Sequence, residues 1–320
     1  MKYFTAGLAS AVLLSMSVGF ASASDLHRGL PSNVSPEKSA LYDLRRVNGG
    51  LLAVGELGLV MRSDDAGRTW TSQYAPTDRT LVSIEAISDK LLLAVGHGGT
   101  VVQSKDGGLN WQKIEIEEAG QDSFLGITRL KSGRILAYGA YGMYFMSDDN
   151  GVTWSRSSVF NEDFDWHISG IAELGDRLYL TGEAGTLGVS YDQGESWSAL
   201  ESPYEGSFFG VLSLEDTLLV YGMRGHVYRS TDQGESWSAV PLDTTSALNS
   251  GTVTEDGKVV LTGDNGLIAI SDNGGLTFDI QSTPTSNPIG KALYASDGAL
   301  VYIGYMATGR LAPNEKAGLN

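Results

Sequence analysis

Cysteine is absent from this chain of 320 residues, and basic residues are scarce. Without cysteine the protein has no disulfides, thiol nucleophiles or zinc-thiolate centres. The 38 acidic side chains outnumber 22 basic ones, so the formal net charge is −16 at pH 7. Because nucleic-acid-binding proteins neutralise phosphates with a basic patch, this balance argues against a nucleic-acid partner.

Long apolar runs are confined to the amino-terminal end. Lys2 precedes an apolar run over residues 4–20, and Ala21-Ser22-Ala23 supplies the small residues of a cleavage site. This pattern predicts a signal peptide at residues 1–23, a mature chain from Ser24 and a mature net charge of −17. Later segments fall short of the roughly 18 apolar residues that a membrane helix needs. We therefore expect a soluble periplasmic or secreted protein, with no lipid anchor and no direct membrane insertion.

Strong helical periodicity is also lacking, and an internal repeat organises the chain instead. Five segments follow the pattern Ser-x-Asp-x-Gly-x-x-Trp, beginning at Ser63, Ser104, Ser147, Ser190 and Ser230, and a sixth, degenerate segment begins at Ser271. The sixth segment carries Asn273 and Phe278 in place of the acid and the tryptophan. The final aromatic residues recur every 40 to 43 positions. A Gly-x-x-Gly marker precedes each octapeptide, starting at Gly55, Gly96, Gly139, Gly182, Gly222 and Gly263.

Each repeat holds about four short β-rich runs, which is typical of a β-propeller blade. The 297 residues after position 23 accommodate seven repeats of that length. The predicted fold is all-β: a seven-bladed propeller of four-stranded antiparallel blades over residues 24–312, with a flexible tail at 313–320. Residues 289–311 predict a degenerate seventh blade without an octapeptide. We expect residues 26–36 to supply its missing outer strand.

The octapeptide residues are those of a tight hairpin turn. Aspartate can accept hydrogen bonds from the turn backbone, glycine can take a positive φ, and the tryptophan covers the turn. On this interpretation the structural residues are Asp65, Trp70, Asp106, Trp111, Asp149, Trp154, Asp192, Trp197, Asp232 and Trp237. Trp154→Ala is expected to cost about 3 to 5 kcal/mol if that ring is buried. A calcium loop is the alternative, but the twelfth position from Asp148 is Val159 rather than glutamate.

These octapeptides resemble the Asp-box (BNR) repeat of sialidases and other secreted propellers. The spacing of Gly-x-x-Gly ahead of each octapeptide, with the seven-blade length and the signal segment, is similar to the photosystem II stability/assembly factor family. That resemblance implies a non-enzymatic lumenal or periplasmic propeller that escorts the assembly of a membrane protein. It also implies a protein partner in a membrane-associated complex.

The sialidase resemblance raises an enzymatic alternative, a glycoside hydrolase or glycan-binding propeller. Sialidases carry an Arg-Ile-Pro motif and three converging arginines, whereas the nearest string here is Arg134-Ile135-Leu136, inside a predicted strand. The four histidines lack metal-ligand spacing. No catalytic residue, metal or cofactor is therefore predicted.

A binding face is predicted on the side of the propeller opposite the octapeptides. The turns between second and third strands, together with the crossovers between blades, contribute Glu56, His97, Tyr141, Trp166, His167, Glu183, Arg224, Asp264 and Tyr305. Trp166 and His167 have two interpretations: they begin an inner strand, or Trp166 is an exposed aromatic anchor. The function predicted is a monomeric, protein-binding scaffold.

Overall fold

The computed structural model describes residues 26–27, 30 and 33–312, and it forms seven antiparallel sheets. Every sheet is built from strands that follow one another in the sequence. The predicted seven-bladed propeller is therefore confirmed. The predicted signal peptide and the tail at 313–320 lie outside the described residues. No helix in the described part of the chain is long and apolar enough to cross a bilayer.

The first two strands of each blade form its inner half. The innermost strands are β1 (Leu41–Val47), β5 (Leu81–Ala86), β9 (Phe124–Arg129), β13 (Ile168–Leu174), β17 (Phe208–Leu214), β21 (Leu248–Val253) and β25 (Ile289–Tyr294). The second strands are β2 (Gly50–Gly55), β6 (Leu92–Gly96), β10 (Ile135–Gly139), β14 (Arg177–Gly182), β18 (Thr217–Gly222), β22 (Val259–Gly263) and β26 (Leu300–Gly304). The second strands are almost continuously buried, because neighbouring blades cover both of their faces.

The third and fourth strands form the outer half. The third strands are β3 (Leu59–Ser63), β7 (Thr100–Ser104), β11 (Tyr144–Ser147), β15 (Leu187–Ser190), β19 (Val227–Ser230), β23 (Leu267–Ser271) and β27 (Gly309–Leu311). The fourth strands are β4 (Thr71–Tyr74), β8 (Gln112–Ile114), β12 (Ser155–Arg156), β16 (Ser198–Ala199), β20 (Ser238–Ala239) and β24 (Asp279–Ser282). Short 3-10 turns occur at Pro36–Lys38, Glu56–Gly58, Glu117–Ala119, Glu183–Gly185, Met223–Gly225 and Asp264–Gly266.

The first glycine of each double-glycine turn makes room for a carbonyl of its own blade. A Cβ on Gly139 would lie 2.1 Å from the carbonyl oxygen of Ser123, and the corresponding contacts in the other blades measure 1.9 to 2.4 Å. The N–H of Ala140 donates to that same oxygen at 2.9 Å. This clamp recurs in all seven blades, including the seventh at Gly304, so the start of each innermost strand is fastened to the second strand.

The octapeptide aspartates stabilise their turns by accepting hydrogen bonds from other residues of the same turn. In the third blade, Asp149 Oδ1 accepts hydrogen bonds from Ser147 Oγ at 2.9 Å and from the N–H of Thr153 at 2.8 Å. Its Oδ2 accepts one from Thr153 Oγ1 at 2.6 Å. Hydrogen bonds to the ionised form lower a carboxyl pKa. Hydrogen bonds from the residue four positions later in the sequence are the main cause of the low carboxyl pKa, which is about 2 for Asp65, Asp106, Asp149 and Asp232.

The blade-six turn shows that an amide can replace the acid. Asn273 Oδ1 accepts hydrogen bonds from Ser271 Oγ at 2.8 Å and from the N–H of Thr277 at 3.1 Å. Its Nδ2 donates to Thr277 Oγ1 at 2.8 Å. The turn therefore needs a planar acceptor at this position more than it needs a charge.

Asp149→Asn is expected to leave stability at pH 7 close to that of the parent and to flatten its acid dependence. A carboxyl with a depressed folded pKa stabilises the fold above its unfolded pKa, about 4, and that stability is lost as pH falls through about 2. The measurement is the thermal midpoint between pH 7 and pH 2. Asp89→Asn is the matched control, because Asp89 is exposed and lies outside the octapeptides. Equal acid dependence in the parent and in Asp149→Asn would contradict the assignment.

The octapeptide tryptophans are not equally buried. Trp197 is 7% exposed and packs edge-on against Tyr144, with ring centroids 6.1 Å apart. Trp154, by contrast, is only partly buried, and its Nε1 donates to the carbonyl of Gly151 at 3.2 Å. The loss of about 3 to 5 kcal/mol that is expected when a buried aromatic site is emptied therefore applies to Trp197→Ala rather than to Trp154→Ala.

The outer strand that residues 26–36 were expected to add to the seventh sheet is not present in the part of the chain that the structure describes. Among the described residues of 26–36, none lies in a strand, and the seventh sheet has three strands. His27 and Val34 instead hydrogen bond to Ala75 and Ser72 in the first blade. His27 and Val34 therefore contact the outer part of blade one rather than the seventh sheet.

Side-chain contacts and a single bridge join the seventh blade to the first. Ala40 and Tyr305 form an isolated antiparallel bridge. Asp297 in the seventh blade accepts hydrogen bonds from Arg68 at 2.7 Å and from Arg310 at 2.6 Å. Arg310 also donates to the carbonyl of Ala66 at 3.0 Å. Apolar side chains of both blades, including Leu44 and Val301, share one core cluster behind these contacts.

Candidate functional site

The double-glycine face carries the turns between second and third strands and the crossovers between blades. In each turn, the residue that precedes the second glycine has φ between 50° and 64°, and so does the residue at the same position in the seventh blade, where that glycine is replaced. These left-handed residues are Leu57, Gly98, Tyr141, Ala184, Arg224, Asn265 and Met306. Their recurrence in every blade makes the conformation a property of the turn, and it leaves most of their side chains exposed.

Four of the predicted face residues meet at one place, which we call the Tyr141–Trp166 patch: Tyr141, Trp166, His167 and Glu183. Tyr141 is 61% exposed and Trp166 is 46% exposed. The Tyr141 ring lies edge-on to the His167 ring, with centroids 5.1 Å apart. His167 Nδ1 lies 3.0 Å from Glu183 Oε2. The patch therefore spans blades three and four.

Backbone contacts hold this patch together. The N–H of Gly142 donates to the carbonyl of Trp166 at 2.9 Å. A Cβ on Gly142 would lie 2.1 Å from the carbonyl oxygen of Phe164, so only glycine lets the crossover lie against the turn. Trp166 lies two residues before β13, and its side chain is exposed to solvent.

A second group of predicted residues lies where the first and seventh blades meet. Tyr305 is 56% exposed, and the neighbouring Tyr42 and Met306 are 42% and 43% exposed. The pKa of the Tyr42 hydroxyl is raised, mainly by burial and to a smaller extent by the nearby Glu56 and Tyr305. Glu56 Oε1 accepts a hydrogen bond from the N–H of Ala40 at 3.0 Å, so this acid also fastens the entry to β1.

The remaining predicted residues stay apart from both groups. Asp264 Oδ1 accepts a hydrogen bond from Asn249 Nδ2 at 3.0 Å, within its own blade. His97 and Arg224 are exposed in the turns of blades two and five. The nine predicted residues thus share one face of the propeller, but only four of them form a contiguous patch.

The central channel holds a charged group that the sequence analysis did not identify. This channel cluster consists of Asp43, Arg45, Glu85 and Lys291, and it borders a cavity of about 650 Å³. Arg45 Nη2 lies 3.0 Å from Glu85 Oε2, and Arg45 Nε lies 4.0 Å from Asp43 Oδ2. Lys291 Nζ lies 3.9 Å from Asp43 Oδ1. The cluster links blades seven, one and two.

Burial and ion pairing act against each other in the channel cluster. Burial raises the pKa of Glu85 despite the opposing effect of Arg45. Burial lowers the pKa of Lys291, and Asp43 partly offsets that effect. Burial would also lower the pKa of Arg45, but Asp43 and Glu85 raise it above its usual value. Two cations and two carboxylates leave the cluster formally neutral.

Glycines on the other side of the channel admit two buried tyrosines. A Cβ on Gly126 would lie 2.4 Å from the Tyr138 ring, and one on Gly210 would lie 2.2 Å from Tyr221 OH. Burial raises the pKa of both tyrosines. These hydroxyls and the channel cluster make a polar passage whose charges are paired with one another.

An enzymatic centre of the sialidase type requires three arginines at one point. Arg68 and Arg310 both contact Asp297, and within the described ranges no third arginine joins them. Arg134 pairs with Asp148 and Glu195 at 2.7 and 2.6 Å. Arg45 lies in the channel cluster with Lys291. Among the described residues, no three His, Asp or Glu side chains are grouped so that they could hold a metal ion.

Part of the repeat region matches the model of a known protein family. Residues 127–274 match the family model of the photosynthesis system II assembly factor YCF48. No curated protein is significantly similar to the chain in sequence.

Solved structures resemble the propeller at low sequence identity, so they establish the fold alone. YCF48 bound to a D1 peptide has a TM-score of 0.70 and 17% identity, covering 87% of this chain and 93% of that one. YCF48 from Cyanidioschyzon merolae has a TM-score of 0.66 and 14% identity, covering 87% and 96%. The extracellular domain of a hybrid two-component system from B. thetaiotaomicron has a TM-score of 0.68 and 11% identity, covering 87% and 39%.

The repeats and the fold thus agree: over residues 127–274 this chain carries the sequence pattern of the YCF48 assembly-factor family, on a propeller similar to two YCF48 structures, and the family resemblance predicted from its turns is confirmed.

Proposed function

We propose that this protein is a non-enzymatic scaffold that binds another protein through its double-glycine face. The partner belongs to a membrane-associated complex under assembly, and the encounter takes place in the periplasm or an equivalent exported compartment. The observation that carries the proposal is the Tyr141–Trp166 patch. Two large aromatic side chains, Tyr141 and Trp166, are exposed in this patch, although the fold buries most others of that size.

Three further observations support protein binding. Tyrosine and tryptophan are the side chains that most often anchor protein interfaces, because they offer large apolar area with few rotatable bonds. The crossover that carries Trp166 is tied to the turn that carries Tyr141, because the N–H of Gly142 donates to the carbonyl of Trp166. A similar propeller, YCF48, has been solved with a bound D1 peptide.

The proposal is tested by affinity purification from detergent-solubilised membranes of the native host. We expect the parent to enrich a specific membrane protein and Tyr141→Ala/Trp166→Ala to enrich it at least about fivefold less, because two interface anchors are removed. Val152→Ala/Leu276→Ala is the matched control, since it removes two exposed apolar side chains from the octapeptide turns. Thermal unfolding of all three proteins verifies that the folds are equal.

Two outcomes would contradict the proposal. The first is equal capture by the parent and by Tyr141→Ala/Trp166→Ala. The second is the absence of any captured partner together with turnover of a sialoside or another glycan, which would identify a glycoside hydrolase instead.

A further inference from the structure

The Tyr141–Trp166 patch borders a groove of about 470 Å³ between the turn of blade three and the crossover into blade four. The groove is lined by Tyr141, Arg156, Glu162, Asp163, Phe164 and Asp165, among others. Three carboxylates therefore face one guanidinium along an exposed aromatic wall. The Arg156 guanidinium lies over the Phe145 ring, 6.0 Å from its centroid.

The groove carboxylates differ from those of Glu56 and Glu183 on the same face in forming no ion pair or hydrogen bond among the described residues. Glu162, Asp163 and Asp165 are exposed, and no ion pair involves them in the described part of the chain. Glu56 and Glu183, in contrast, are engaged with the N–H of Ala40 and with His167. The groove acids are thus available to an incoming cation.

The crossover that carries these acids is held in place before any partner arrives. Val159 is buried, and the Phe160 and Phe164 rings pack edge-on with centroids 5.2 Å apart against the core of blades three and four. The N–H of Asp163 donates to Asn161 Oδ1 at 3.0 Å. A preorganised surface loses little conformational entropy on binding, which favours affinity.

We propose that the segment bound at the Tyr141–Trp166 patch is basic and extended, and that it places an arginine or lysine side chain in this groove. This inference rests on the proposed function and names the chemistry of the partner. The cation lies against the Tyr141 ring, which lines the groove and whose quadrupole attracts it. Its charge is matched by Glu162, Asp163 and Asp165. An acidic segment would instead meet three like charges, opposed only by the single cation of Arg156.

The overall charge of the protein supports the same partner. A formal net charge of −16 repels acidic partners at long range and accelerates the approach of basic ones. Within the groove the aromatic wall then distinguishes a cationic side chain from a solvated metal ion, because a cation–π contact requires a cation that sheds water readily.

The test uses an acetylated, amidated peptide of alternating arginine and glycine, Gly-Arg-Gly-Arg-Gly-Arg-Gly, with a glutamate version as its counterpart. Binding to the full-length protein is measured by isothermal titration calorimetry at low and physiological salt. We expect the arginine peptide to bind and the glutamate peptide not to bind. Glu162→Gln/Asp163→Asn/Asp165→Asn should weaken binding on the order of tenfold, because three exposed charge contacts are lost.

The matched control is Asp89→Asn/Glu235→Gln/Asp272→Asn, which removes the same charge from exposed positions outside the groove. We expect it to change the dissociation constant by less than about twofold at physiological salt, where distant charges are screened. Tyr141→Ala/Trp166→Ala should also weaken binding. Equal weakening by the two charge variants, or no binding of the arginine peptide, would overturn the inference.

The two proposals fail in different ways. If the membrane partner is captured through Tyr141 and Trp166 but the groove charge variant captures it as well as the parent does, the basic segment is refuted and the scaffold stands. If the groove binds the arginine peptide as expected but no membrane protein is captured, the scaffold is refuted and the cation-binding groove stands.

Discussion

Trp197→Ala is expected to destabilise the protein by about 3 to 5 kcal/mol, the cost of emptying a large buried aromatic site. Trp197 is 7% exposed and lies in a core cluster with Tyr144 and Leu178, which joins blades three and four. Removal of the indole leaves a cavity between two sheets. The measurement is denaturant-induced unfolding followed by circular dichroism.

Trp154→Ala is the matched control for this prediction. The same substitution is made at the same octapeptide position, but Trp154 is only partly buried, so less apolar area is lost. We expect it to cost clearly less than Trp197→Ala. An equal loss of stability in the two variants would mean that the turn sequence, rather than burial, decides the contribution of these tryptophans.

Gly139→Ala should cost about 3 kcal/mol, because overpacking against backbone cannot be relieved by a side-chain rotation. The new methyl group would lie 2.1 Å from the carbonyl oxygen of Ser123. That oxygen also accepts the N–H of Ala140, so the clamp at the start of β9 would have to open. Since Tyr141 is two residues away, partner binding should weaken along with stability.

The control is Gly175→Asn, at a glycine with φ of 63° and no atom near the position of a Cβ. Asparagine tolerates the left-handed region, so we expect a cost below about 1 kcal/mol. A tolerated Gly139→Ala would show that the clamp is looser than its geometry indicates.

The repeat was predictable because its interactions are local in the sequence. Asp149 bonds to residues two positions before and three or four positions after it, so fixed spacing in the chain reflects fixed geometry in the turn. The same locality made the blade count predictable. It also explains the substitution in blade six, where Asn273 preserves the acceptor.

The channel cluster was not predictable in the same way. Asp43 and Arg45 lie on β1, Glu85 on β5 and Lys291 on β25, and only ring closure brings them together. The one available signal was the presence of charged residues within innermost strands. The grouping of Tyr141 with Trp166 had the same difficulty, because it depends on the path of the crossover over Gly142.

Ring closure by side-chain contacts and one backbone bridge has a consequence for folding kinetics. Every sheet pairs strands that are neighbours in the sequence, so a blade can form as soon as its own residues are available. The contacts that join the last blade to the first span 229 to 272 positions. Their loop-closure entropy must be overcome before Asp297 can meet Arg68. We expect an open chain of preformed blades to precede the native ring, with the rate of folding set by the meeting of its two ends.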